Sequence, residues 1–124
     1  MRNSLPANVP QPSTQRDPRV RQVLVSVNAS GQLVCLPSVV QVSGPGVLIS
    51  FELQSAGWEF PGTGAVVVTA GGAQFPWPSW TLDKQHAALL DEDSEAGDFS
   101  YTVHVHKPET GQRLSLDPTI RNRP

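Results

Sequence analysis

Gly97-Asp98-Phe99-Ser100-Tyr101-Thr102-Val103-His104-Val105 decides the fold. Apolar and polar residues alternate strictly from Phe99 to Val105. Successive side chains of a strand point to opposite faces. Phe99, Tyr101, Val103 and Val105 therefore share one face, and Ser100, Thr102, His104 and His106 the other. An Asp-led strand with Tyr and a small apolar residue at this spacing reads as the penultimate strand of a Greek key. That reading predicts a Tyr101 hydroxyl bonded back to the preceding corner.

The acidic loop Asp91-Glu92-Asp93-Ser94-Glu95 leads into this strand. Acids at alternate positions begin many calcium loops, but the sixth position is Ala96 and the twelfth is Thr102, which excludes an EF-hand. The preferred reading is a solvated corner whose acids cap backbone N–H groups; the alternative is an irregular calcium site between strands. Before it, Asp83 to Leu90 suits either a short helix capped by Asp83 or a strand over His86 to Leu90, and the strand is preferred.

Moving outward, Phe75-Pro76-Trp77-Pro78-Ser79-Trp80 is stiffened and extended by two prolines. Trp77 and Trp80 have three places open to them: the core, a plug at one end, or an exposed contact patch. Packing is preferred to ligand binding. Ala65 to Thr69 is a β-branched run of the kind covered on both faces. Trp58 and Phe60 face one way, as do Val47, Ile49, Phe51 and Leu53. Val23 to Val27 and Leu33 to Leu36 form a hairpin around Asn28-Ala29-Ser30-Gly31, and Val39 to Val42 is a short third strand. After the central strand, a turn at 107–111 precedes Leu114 and Leu116, and Ile120 tethers the tail. Seven or eight short strands predict an all-β, antiparallel Greek-key β-sandwich with its core on the Val23, Phe51, Val67 and Tyr101 faces.

The 124 residues suit one domain over 19–124, preceded by a flexible arm over 1–18 whose Pro, Asn, Ser and Gln content cannot offset its ordering entropy. Arg16, Arg19 and Arg21 at its end read as solubilising charge. A net charge of -2 with 16% charged residues leaves no footprint for nucleic acid or an anionic membrane. Cys35 is the only cysteine, so no intrachain disulfide forms. Neither an apolar leader core nor a membrane-spanning window occurs, and a cytoplasmic location is expected.

Chemistry has few places to sit. His104 and His106 are two apart on the outward face and can chelate a transition metal if His86 or an acid of the 91–95 loop adds a third ligand. Ser79, His86 and Asp83 lack the setting of a nucleophile elbow, and no glycine loop has the helix needed to cradle phosphate. No cofactor is expected.

Four stretches in order resemble the DP-EP family, small proteobacterial proteins of uncharacterised function. They are Phe51-Glu52-Leu53 with Gly57-Trp58-Glu59-Phe60, then Phe75 to Trp80, then Gly97 to Val103, then Ser115-Leu116-Asp117-Pro118-Thr119-Ile120-Arg121-Asn122. Asp117-Pro118 matches the Asp-Pro of the name, whereas Arg123-Pro124 stands where Glu-Pro would close it. The resemblance covers residues 20–124 and implies a sandwich of the cupredoxin or immunoglobulin kind, with no catalytic residues to carry over. A blue-copper centre needs two His, a Cys and an axial Met. Cys35 precedes every histidine and the only Met is Met1, so that centre is not expected. The combined expectation is a non-enzymatic binding or protein-interaction module that presents Trp77 and Trp80 to a protein partner or a second copy. The alternative is a transition-metal protein using His104, His106 and His86.

Overall fold

The computed structural model describes residues 19–70 and 72–124. The arm expected over 1–18 lies outside them. Ten strands follow one another, with no α-helix among the described residues. They are β1 (Val20–Val27), β2 (Leu33–Leu36), β3 (Val39–Ser43), β4 (Val47–Leu53), β5 (Val66–Val68), β6 (Trp80–Asp83), β7 (His86–Asp91), β8 (Gly97–Lys107), β9 (Gln112–Leu116) and β10 (Thr119–Arg123). A 3-10 turn at Gly72–Gln74 precedes β6.

The strands form two five-stranded sheets. The first runs β2-β1-β4-β7-β6; the second runs β3-β10-β8-β5, with β9 also paired to β8. Both sheets are mixed, because β1 pairs β4 in parallel and β3 pairs β10 in parallel. This corrects the purely antiparallel expectation, and ten strands replace seven or eight. The physical reason is the path after β2. β3 leaves for the second sheet and β4 returns to the first, where it meets β1 running the same way. Local hairpin signals do not record such a crossing.

Period-2 burial is cleanest in β4, where Val47, Ile49, Phe51 and Leu53 are buried and the residues between them are not. In β8, Tyr101, Val103 and Val105 are buried, while Phe99 is half-buried against Phe75. Faces from both sheets join one apolar cluster containing Val23, Phe51, Leu89, Tyr101, Val103 and Ile120. The Phe51 and Tyr101 rings meet edge to face, 5.7 Å apart, across the two sheets.

Two expectations fail here. Val67 does not belong to the core: on edge strand β5 Val66 takes the inward face, so Val67 takes the outer one and is 38% exposed. The Tyr101 hydroxyl, predicted to bond back to a corner, has no hydrogen-bond partner among the described residues. The ring turns into the interface against Phe51, which carries the hydroxyl into apolar surroundings. Burial holds the phenol well above its usual range.

Candidate functional site

The first candidate lies where the open edges of the two sheets come together. β6 ends one sheet and β5 ends the other. The segment between them is pinned at three points. Phe75 stacks edge to face on Phe99 at 5.6 Å, the Val66 amide donates to Ser79 Oγ at 3.2 Å, and Thr81 Oγ1 donates to the Pro61 carbonyl at 2.7 Å. Pro76 and Pro78 keep the intervening backbone extended. Trp77 is thereby held 57% exposed and Trp80 44%, with Leu82 beside them at 68%. The preference for packed tryptophans is corrected, although Trp80 pairs across the strands with Ala88, which is itself buried. A groove of about 360 Å³ runs between this segment and β5.

The second candidate holds histidines. The amide of His104 donates to the Ala65 carbonyl, and Glu59 and His106 exchange two backbone hydrogen bonds. The chain between Glu59 and Ala65 must therefore loop out, and Pro61–Gly64 forms one wall of a groove of about 710 Å³. His104, His106 and Arg113 line it. His106 Nε2 lies 3.7 Å from Glu59 Oε1, whose other oxygen is 3.6 Å from Lys84 Nζ. His86 is placed elsewhere, on β7, where Nδ1 sits 2.8 Å from Asp83 Oδ1. The Gln85 amide and His86 hold the Asp83 carboxyl below its usual range. His104 and His106 thus share one wall and His86 does not line it. Among the described residues no three His, Cys, Asp or Glu side chains converge as metal ligands would. Asp83 and His86 do pair, but Ser79 Oγ is engaged by the Val66 amide.

The third candidate corrects the solvated acidic corner. Asp91 and Asn122 are fully buried, and Asp93 and Gln74 nearly so. Asp91 continues the inward parity of Ala87 and Leu89 on β7, and Asn122 that of Ile120 on β10. The cluster therefore joins the two sheets. Asp91 Oδ1 accepts from the Asp93 amide at 2.9 Å, so the expected capping does occur, and from Asn122 Nδ2 at 3.1 Å. Gln74 Oε1 accepts from the Ser94 and Glu95 amides and from Asn122 Nδ2. Burial pushes the Asp91 carboxyl up to about 6, despite the lowering effect of those hydrogen bonds. Gln74 and Asn122 carried no mark in the sequence, but the parity of Asp91 was a usable signal.

Cys35 is a buried thiol whose pKa burial raises to about 11, which makes it a poor nucleophile at neutral pH. No helix among the described residues is long and apolar enough to cross a membrane. No family model and no curated protein matches the chain.

Proposed function

We propose that the chain is a non-enzymatic protein-interaction module that docks a partner on the Trp77–Trp80 edge. The observation that supports this is the exposure of Trp77, Trp80 and Leu82 on and beside an edge strand paired on one side only. Large aromatic side chains fixed on a stiff backbone lose little entropy on binding, and a free strand edge offers main-chain hydrogen bonds. The simplest occupant is a second copy. Charge on an edge strand is what ordinarily blocks pairing, and on β6 it is confined to the terminal Asp83, which is already paired with His86, while Trp80, Thr81 and Leu82 are neutral. Sedimentation velocity should show concentration-dependent dimerisation. Leu82→Lys should weaken it at least tenfold without lowering stability, since Leu82 is an exposed side chain. A wild type that stays monomeric up to roughly 10⁻³ M, or a Leu82→Lys variant that dimerises equally well, overturns this reading.

The finer fold and family assignments stand beside it as proposals. Membership of the DP-EP family and a cupredoxin-like Greek-key type are supported by the four ordered motifs and by the two-sheet all-β architecture. A cytoplasmic address is supported by the lone, unpaired Cys35.

A second reading rests on one observation, that His104 and His106 line the same groove. Two imidazoles there hold a zinc or copper ion whose remaining positions are filled by solvent or a ligand. Calorimetry should give a one-to-one zinc isotherm tighter than roughly micromolar that His104→Ala removes. The absence of such binding removes the reading.

A further inference from the structure

The geometry points to a divalent-cation site of the calcium type, built from Asp91, Asp93 and Asn122 where β7 and β10 meet. The first ground is the balance of donors and acceptors. Asn122 Nδ2 donates to both Asp91 Oδ1 and Gln74 Oε1, which fixes the orientation of its amide. The Gln74 amide nitrogen is engaged with Ser94 Oγ. Asp91 Oδ2, both carboxylate oxygens of Asp93 and Asn122 Oδ1 have no partner, yet their residues are at most 2% exposed. Asn122 is no acid. Its fully buried and unpartnered oxygen belongs to an amide that touches Asp91, and it marks the place independently of the carboxylates.

The second ground is charge. No Lys, Arg or His pairs with Asp91 or Asp93 among the described residues. Two buried carboxylates without a countercharge are costly, and a cation relieves both at once. The donors are all oxygen: two carboxylates and one amide. That set suits a hard cation, and calcium accepts irregular, partly bidentate geometry where magnesium requires a near-ideal octahedron.

The third ground is preorganisation. Asp93 adopts φ 54°, and the Asp93 amide is tied to Asp91 Oδ1. The Glu92 amide donates to the Gln74 carbonyl at 2.7 Å, and the Gln74 side chain holds the Ser94 and Glu95 amides. The loop that carries both acids is thus fastened by groups other than the unpartnered oxygens. With two carboxylates instead of the three or more of high-affinity loops, a Kd of roughly 10⁻⁵–10⁻³ M is expected.

Two measurements on chelator-stripped full-length protein test this at pH 7.5 with calcium chloride as the probe. Saturating calcium should raise the melting temperature of the wild type by roughly 5 °C or more over magnesium at equal ionic strength. Asp93→Asn should lose most of that rise. Because the variant could fold poorly, the wild type alone is also titrated by ¹⁵N-resolved NMR. Saturable calcium shifts should centre on the Asn122 side-chain amide and the 91–95 backbone. No melting shift, a shift that Asp93→Asn retains, or NMR changes confined to exposed acids away from the loop, such as Asp83 and Glu109, overturns the site.

Discussion

Tyr101→Ala should lose about 3–5 kcal/mol in urea unfolding, whereas Tyr101→Phe should lose nothing and can gain up to about 1 kcal/mol. The ring is among the largest fully buried side chains and meets Phe51 across the two sheets. Removing it deletes apolar contact and leaves a cavity where the sheets face each other, at a site fixed by backbone pairing on both flanks. A domain with a total stability of about 5–15 kcal/mol cannot spare that amount easily. The phenylalanine variant separates shape from polarity. The hydroxyl is buried with no partner, so it costs desolvation and returns no hydrogen bond. If Tyr101→Phe were less stable by more than about 1 kcal/mol, a corner hydrogen bond of the expected kind would have to exist. If Tyr101→Ala were nearly neutral, the central strand would not face the core. A shared urea m-value among the three proteins would establish that the change lies in the folded state.

The same strand shows what a sequence carries and what it does not. Alternation over Phe99 to Val105 placed Tyr101, Val103 and Val105 inside because side-chain parity is local. Parity likewise located β1 and β4, turn signals located β2, and the strand expected over His86 to Leu90 is found as β7 one residue longer. It failed at Val67, where a β-branched run looks the same whether a strand is central or at an edge. Direction was also invisible: that β4 runs parallel to β1 depends on the excursion of β3 into the other sheet. At the candidate sites, spacing put His104 and His106 on one side of β8, but nothing local could remove His86 from their groove. The exposure of Trp77 depends on how β5 and β6 are pinned together, which is a tertiary fact. The acidic loop is the reverse case. Asp91 keeps the inward parity of Ala87 and Leu89, a signal that the solvated-corner reading leaves out of account.

That buried carboxylate makes stability depend on pH: in chelator-containing buffer, mild acidification should stabilise the wild type. The Asp91 pKa is raised from 3.8 to about 6 by burial, so the folded state holds its proton more firmly than the unfolded chain does. For an acid with a raised folded pKa, the stabilising contribution is fully present below the unfolded value. It is lost as pH rises through the folded one. The window is therefore from about pH 4 to pH 6. The loss across it approaches 2–3 kcal/mol, since each tenfold change in proton affinity is worth about 1.4 kcal/mol. Asp98 and Asp83 behave in the opposite sense, held down by Arg121 and by the Gln85 amide with His86, and they oppose the trend only below their unfolded range. Asp91→Asn should flatten the slope to the part that burial of the Asp93 carboxyl still contributes. The substituted amide oxygen can still accept from the Asp93 amide and Asn122, while the charge that burial penalises is gone. The variant should therefore be more stable than wild type at about pH 7.5, and the gap should shrink to roughly a third at about pH 4.5. Urea midpoints at the two pH values decide it. A wild type that gains stability between the lower and the higher pH, or a variant weaker than wild type at the higher pH with chelator present, contradicts the burial argument. Saturating calcium should reverse the ranking at the higher pH, because the ionised carboxylate is then a ligand and the substitution removes one of the two charges that hold the ion.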